Sequence, residues 1–404
     1  MCAAVSIDDY LASVTVEDLD RDPYAVYRRC QLERPVAWVP AVELWFATSW
    51  AAVESAASDP ETFSAGVTPS PIEVIMGPTA ILLVDGEEQR RQRTVLDPSV
   101  RPRAVEAYAP PLLEPLVEAT LERIASRGRA ELMAEYFEPI SVRSLALVMG
   151  LGELDDDTLR RWFADLAVGA VNFEADPEKE RIGLAAAREV DSTLRPILER
   201  LLAEPDGSMV ANMLAAVDGT LDERIAEIMP SLKVIPLGGM QEPGHACGST
   251  ALGLLSHPGQ SEAFAADPTG LVRQVVEEGL RWQSPIGTQT RRTTGEVELD
   301  GTLLPAGANI GLLVSAANRD PAVWGPTVDA FDLHRPRRTQ AAFGFGPHFC
   351  AGHHFSRLQM RLALSRLFAR LPNLRLDPER PPASRGWEFR APEHIHVVWD
   401  VPGG

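Results

Sequence analysis

The sequence has almost no lysine: Lys179 and Lys233 are the two it contains, and arginine supplies the rest of the 38 basic groups. That skew by itself points to no chemistry. Cysteine is also scarce, at Cys2, Cys30, Cys247 and Cys350, with no CxxC pair and no regular spacing. A disulfide framework and a Cys-rich zinc site are therefore excluded, and a reducing, cytoplasmic setting is expected. No apolar run reaches the roughly 18 to 20 residues of a membrane span, so no membrane partner is expected. The first residues carry Asp8, Asp9, Glu17 and Asp18 where a signal peptide needs basic residues and then an apolar stretch. Basic groups are outnumbered by 57 acidic ones, giving a formal charge of −19, which argues against nucleic acid or an anionic surface as partner.

What is present is a chain of 404 residues, 45% hydrophobic and 24% charged, able to bury a large core. Length alone suggests roughly two to three domains. Patterning suggests one, since there is no internal repeat or low-complexity stretch, and Pro110-Pro111 and Pro381-Pro382 read as element boundaries. Apolar residues recur at helical spacing from Pro111 to Gly128, and also over Pro23–Glu33, Ile140–Met149, Asp157–Val168, Arg181–Leu202 and the long Asp222–Ser256. Strand-like segments are Val36–Val39, Leu44–Thr48, a hairpin around Asp300-Gly301, Ile310–Val314 and His394–Val401. The expectation is a mainly α fold over residues 1–404 as a single domain. A smaller β region would be drawn from about 34–50, 286–315 and 385–402.

The sharpest feature is Phe343-Gly-Phe-Gly-Pro-His-Phe-Cys350-Ala-Gly352, running straight into a helix from His354 to Leu371. Its glycines permit a tight loop, and a cysteine just before a helix N-terminus meets N–H groups that favour a thiolate. The string resembles the haem-ligand loop of the cytochromes P450, Phe-x-x-Gly-x-x-x-Cys-x-Gly, matched by Phe343, Gly346, Cys350 and Gly352. Glu278-Gly-Leu-Arg281 with Arg335 in Phe331-Asp-Leu-His-Arg335-Pro is similar to the family's buried Glu-Arg-Arg triad, and Ala317-Asn-Arg-Asp-Pro321 also fits. The resemblance covers essentially the whole chain and implies the P450 fold, haem b as cofactor and Cys350 as iron ligand, whose sulfur pushes electron density toward O–O cleavage. By family register, Arg93, Arg292 and His348 would meet the haem propionates. Gln89 stands four residues before Arg93, where the family often has His, which weakens one propionate contact.

Most P450s carry an acid followed by a threonine on the long distal helix to relay protons for oxygen activation. Here the helix reads Leu237-Gly-Gly-Met-Gln-Glu-Pro-Gly-His245, with Gln241 at the acid position and Glu242 at the threonine position. Two readings stand: a non-catalytic haem-thiolate sensor or ligand-binding protein, or a monooxygenase in which Glu242, buried and therefore biased toward its protonated form, does the proton work. Pro243 favours the second, since it has no N–H and crowds the Gly239 carbonyl.

The Gln-Glu-Pro-Gly-His string, with Glu138–Ser144, Gly279–Ile286 and Trp387–Arg390, resembles bacterial aromatic O-demethylase P450s that act on guaiacol-type methoxyphenols. That branch implies oxidation of an aryl methoxy carbon to a hemiacetal, which collapses to formaldehyde and a catechol-type phenol, with dioxygen or hydrogen peroxide as oxidant. By register the pocket would comprise Met76, Leu82, Ala170, Val234, Leu237, Gly238, Ile286, Gln289, Thr290 and Phe389. Met76 and Ala170 replace phenylalanines of the guaiacol enzymes, leaving room for syringol or an alkylguaiacol, and Gln289 adds a polar tip. The same departures keep a natural-product hydroxylase open as an alternative. No flavin, nicotinamide or ferredoxin motif appears in the chain. The resemblance implies an external reductase or ferredoxin with FAD and a [2Fe–2S] cluster, docking on a patch of Arg90, Arg91, Arg101, Arg103, Arg357 and Arg361.

Overall fold

The computed structural model describes residues 5–67, 70–172 and 175–401, so Cys2 and residue 402 of the expected last β segment lie outside the described residues. Helix starts follow capping chemistry. Asp22 accepts from the Tyr24 N–H just before Pro23, and the helix spans Pro23–Glu33 as its spacing predicts. Thr220 and Glu223 cap each other's backbone N–H groups and open the Leu221–Gly239 helix. The other expected helices appear as Glu138–Met149, Asp156–Ala170, Pro177–Ala203 and His353–Arg370.

Pro110-Pro111 is not a boundary. Both prolines lie inside one helix, Pro102–Ala125, whose buried stripe Val105, Ala109, Leu113, Val117 runs through them without a break. Burial of that stripe outweighs the ladder bonds the prolines forgo. The expected single helix over Asp222–Ser256 is instead two, Leu221–Gly239 and Glu242–Leu255, separated at Met240-Gln241.

Five strands form the main sheet in the order Val36–Val39, Leu44–Ala47, Asn309–Leu312, Gln289–Thr293, Phe63–Ser64. The Leu44–Ala47 pairing with Asn309–Leu312 is parallel and the others antiparallel. The expected segment at 385–402 does not join this sheet. Ser384–Arg385 pairs with Ala391–Pro392, and His396–Val398 pairs with Arg129–Glu131 and Arg375–Leu376. An isolated bridge between Ile286 and Phe389 ties that region to the entrance of the main sheet.

The Glu242–Leu255 helix crosses the segment before Met149 at very close range. A methyl group on Gly244 would sit 3.1 Å from the Phe137 carbonyl oxygen, and one on Gly248 would collide with the Met133 sulfur. The facing chain widens to a π-helical turn over Met133–Phe137, and the Gly244 N–H donates to Ser141 Oγ at 3.2 Å.

Glu278, Arg281 and Arg335 come together as a buried network. Arg281 grips Glu278 with two bonds of 2.7 Å, and Arg335 Nε lies 3.2 Å from the same carboxylate. Arg281 also donates to the carbonyls of Asn318, Val328 and Ala330, with its side chain 1% exposed. Asn318 in turn accepts from the Ala341 N–H, at the start of the cysteine loop. Removing Arg281 would leave Glu278 charged and buried beside one remaining cation. Arg281→Ala is expected to cost about 3 to 5 kcal/mol, read as a lower urea midpoint at unchanged slope; a loss below about 1 kcal/mol would show the network to be no stronger than a surface pair.

Candidate active site

The cysteine loop is clamped from three sides. Gly344 and Gly346 take φ of +72° and +64°, and a methyl group on Gly346 would lie 2.4 Å from the Ala57 carbonyl oxygen, so both conformation and space demand glycine there. Cys350 donates its N–H to the Phe343 carbonyl at 2.9 Å. The Gly86–Val100 helix contributes Gln89, whose amide donates to the Pro347 carbonyl at 2.7 Å, and Arg93, which donates to the Phe349 carbonyl at 2.8 Å and pairs with Asp97. Gln89, a departure from the family pattern, thus holds the loop. On the far side the Arg357 guanidinium lies 4.3 Å above the Phe343 ring.

Among the described cysteines, Cys30 and Cys247 pack within apolar clusters, and burial pushes Cys30 up to about 12 and Cys247 further still. Cys350 is half-buried. Burial raises its thiol too, offset in part by the N–H groups of Gly352 and His353 and by Arg93 and Arg357. The N–H groups at the helix start thus favour the thiolate, as the sequence suggests, against the burial that opposes it, and a bound cation would favour it further.

Beside the loop, His348 Nε2 meets Asp85 at 2.9 Å, and Asp85 also accepts from Ser64 Oγ and the Ala65 N–H. Burial works to raise Asp85, but these bonds hold it below the usual carboxylate range. The residue that faces this group is Arg291, not Arg292. In the Gln289–Thr293 strand successive side chains alternate, and Arg291 is the buried one, influenced by Asp85. Arg292 points instead toward Gly307. The Arg291 guanidinium donates to the Thr290 carbonyl, has no ion pair among the described residues, and is pulled down by burial to about 10.

The break in the distal helix displays Glu242. Pro243 offers no N–H to the Gly239 carbonyl; Met240 closes the first helix by donating to the Pro236 carbonyl at 3.0 Å, and His245 resumes the ladder by donating to the Gln241 carbonyl at 2.8 Å. Glu242 is 4% exposed, and neither carboxyl oxygen has a hydrogen-bond partner. Burial drives it up to about 8, with only partial relief from the backbone N–H groups of Glu242 and Gln241. A methyl group on Gly238 would meet nothing within 4 Å, so the helix borders open space at this point.

Of the expected pocket residues, Met76, Ala170, Val234 and Leu237 share one apolar cluster, and Ile286 and Phe389 meet through their bridge, with half-buried Thr290 on the adjacent strand. Two depart. Leu82 is 43% exposed because Ala80 and Ile81 take the buried places in its segment. The Gln289 amide lies against Gly344 of the cysteine loop, with its oxygen buried and unpartnered, so it packs on the loop and is not a free polar tip of the pocket. The expected arginine patch is thinner than its sequence count. Arg357 pairs with Glu277, Arg361 with Glu106, and Arg91 with Glu88 and Glu227, leaving Arg90, Arg101 and Arg103 exposed.

Residues 270–386 match the family model for cytochrome P450. The chain is 30% identical to a vitamin D(3) 25-hydroxylase of Pseudonocardia autotrophica over 88% of each protein, and 29% identical to the P450 monooxygenase PikC of Streptomyces venezuelae over 89% of this chain and 86% of that one. The chain belongs to the cytochrome P450 family. Its fold is likewise that of CalO2, with a TM-score of 0.85 at 29% identity, covering 95% of this chain and 97% of that structure.

As a P450 it is a monooxygenase that takes haem b, dioxygen and electrons from outside the chain. No helix among the described residues is long and apolar enough to cross a membrane. The P450 site fits the cofactor on its own chemistry. Arg291 is a buried cation with no ion pair among the described residues, which is costly until an anion such as a propionate reaches it, and the half-buried Cys350 thiol could ligate a metal. When bound, haem supplies the reduction of dioxygen and the oxidation of a substrate C–H bond.

If Arg291 is the propionate partner, Arg291→Leu speeds haem loss to an apoglobin scavenger by roughly ten- to a hundredfold, the worth of one charge-assisted bond, while Arg292→Leu leaves the rate near wild type. The reverse ranking would restore Arg292. A second outcome concerns Glu242. Its folded pKa lies above its unfolded value, so the folded state binds the extra proton and stability falls as pH rises from about 4.5 to about 8, then levels. The thermal midpoint of Glu242→Gln should therefore gain on wild type steadily over that window and hold a constant lead above it; a pH-independent difference would mean an ordinary carboxyl.

Proposed function

We propose that this P450 O-demethylates a small methoxyarene of the syringol or alkylguaiacol type, with Cys350 as the haem ligand and Glu242 as the proton donor across the pocket. The observation that carries the proposal is the Glu242 carboxyl: buried, unpartnered and displayed by a helix break where the family usually has an alcohol. A carboxyl held protonated near neutral pH replaces the acid–alcohol pair with one residue. Removal of one aryl methyl consumes dioxygen, two electrons and two protons and yields a phenol, formaldehyde and water. Glu242 holds one of those protons on a carboxyl oxygen and returns to the acid after each transfer. Gln241, the residue before it at the start of the same helix, makes no side-chain cap to the backbone.

The pocket's task is to set the methoxy carbon in place and keep water out. Met76, Ala170, Val234 and Leu237 supply the apolar wall, and Ala170 gives the extra volume for a second ring substituent. Electrons would enter through an FAD and [2Fe–2S] reductase or ferredoxin docking near Arg90, Arg101 and Arg103. The hydroxylases among the relatives favour a second reading, hydroxylation of a larger natural product.

A spin-state titration separates the two. Syringol or 4-alkylguaiacols are expected to give a full low- to high-spin shift, and turnover should release formaldehyde in proportion to electron pairs consumed. Glu242→Gln should keep the shift and lose product by about 10² or more, and peroxide should drive wild type better than the variant. A full shift with a macrolide or steroid and none with methoxyphenols would replace the proposal with the second reading; tight binding without turnover would mean a sensor.

A further inference from the structure

Glu242 faces a supply problem that its own surroundings do not solve. Its two oxygens have no hydrogen-bond partner, so a proton given up there must be replaced through some neighbouring group. Three residues along the same helix is His245, one turn away on the same face, at a Cβ separation of about 5 to 6 Å. His245 is largely buried, and its Nδ1 is also without a partner. Its Nε2 lies 3.9 Å from Glu138 Oε1, a span that a small side-chain swing closes. Glu138 retains 26% side-chain exposure and so touches solvent.

The backbone is built to hold this line. Glu138 opens the helix that follows the π turn, and Gly244, the residue before His245, lies against the Phe137 carbonyl, the residue before Glu138. The bond from the Gly244 N–H to Ser141 Oγ fixes the two helices at that depth. Any side chain at 244 would push His245 away from Glu138.

We propose that Glu138 and His245 form a proton-entry route from solvent to Glu242, an inference that rests on Glu242 being the proton donor. In the resting arrangement the neutral imidazole carries its proton on Nδ1. As Glu242 gives its proton to the pocket, Nδ1–H donates to the Glu242 carboxylate while Nε2 takes a proton from Glu138. Glu138 is then reprotonated by solvent, and the imidazole, left with its proton on Nε2, returns to the starting tautomer by exchange through water, which takes the Nε2 proton and supplies one to Nδ1. One proton crosses from water to pocket, and no group keeps a net charge. Burial suits the parts: it raises Glu138 and drives His245 down to about 4, so the ring passes protons without storing one. The charged groups acting on Glu138 from neighbouring elements are Arg160, Glu131 and His394, of which Arg160 and His394 favour its ionised form and Glu131 opposes it.

The test uses the ferric holoenzyme and infrared difference spectra. The protonated C=O stretch of Glu242, assigned by its loss in Glu242→Gln, shifts on transfer to D2O, and its exchange rate reports proton access without turnover. His245→Phe and Glu138→Gln should each slow that exchange about tenfold or more, with the wild-type Soret band of the carbon-monoxide complex confirming an intact site. Imidazole added to His245→Ala should restore the rate. Exchange at the wild-type rate in both variants would overturn the route while leaving Glu242 as donor. Absence of a protonated Glu242 band in wild type would instead overturn the donor assignment, and the route with it.

Discussion

Pro243 has no N–H to give the Gly239 carbonyl, and the turn that carries Glu242 is arranged around that missing hydrogen bond. An unbroken helix from Leu221 to Leu255 would continue its ladder past the pocket and leave position 242 in the middle of a regular turn. The break makes Glu242 the first residue of a new helix, where unpaired N–H groups soften the burial of its carboxyl without neutralising it. The cost of a buried, unpartnered acid is then met by the packing behind it. Gly244 and Gly248 bring this helix against Phe137 and Met133 so closely that it has no freedom to close the gap.

The opposite wall of the site is held by backbone carbonyls more than by ion pairs. Gln89, Arg93 and Cys350's own N–H fasten the carbonyls of Pro347, Phe349 and Phe343, so the loop is fixed at its main chain while its thiol stays available. Glu278 and Arg281 reach the same loop at longer range, through Asn318 to Ala341. A network of this kind rigidifies because each member completes another's bonding, and its loss is costly for the same reason.

Much of this was legible in the residues. The Cys350 loop declares itself because only glycine fits at 344 and 346 and only one cysteine precedes a helix in that setting. Helix ends at Pro23 and Leu221 follow from their caps, and the triad follows from charges at fixed spacing. What the sequence hid depended on pairing partners far away in the chain. Arg291 and Arg292 are chemically identical, and only the register with Asn309–Leu312 and Phe63–Ser64 decides which one turns inward. Leu82 and Ile81 differ by the same kind of parity. Pro110-Pro111 misled because a local helix-breaking signal was outweighed by an apolar stripe that only tertiary contact rewards. The 385–402 segment is legible as β structure, but its partners at Arg129–Glu131 and Arg375–Leu376 are not.

Charge organises the remainder. The chain carries 57 acidic groups against 38 basic ones, yet around the cysteine loop the positive residues dominate the interior: Arg93 and Arg357 act on Cys350, and Arg291 lies buried with no ion pair among the described residues. The acids nearest them are already committed, Asp97 to Arg93, Glu277 to Arg357 and Asp85 to His348. Haem would suit such an excess, since its propionates would meet the buried cation Arg291 while Cys350 of this chain would give its sulfur to the metal. Around Glu242 the order is reversed: no cation is among the groups that act on it, and burial, softened by the backbone N–H groups of Glu242 and Gln241, raises its carboxyl. The two walls are thus tuned by opposite means, one by fixed positive charge that stabilises anions and one by the absence of charge that keeps an acid neutral.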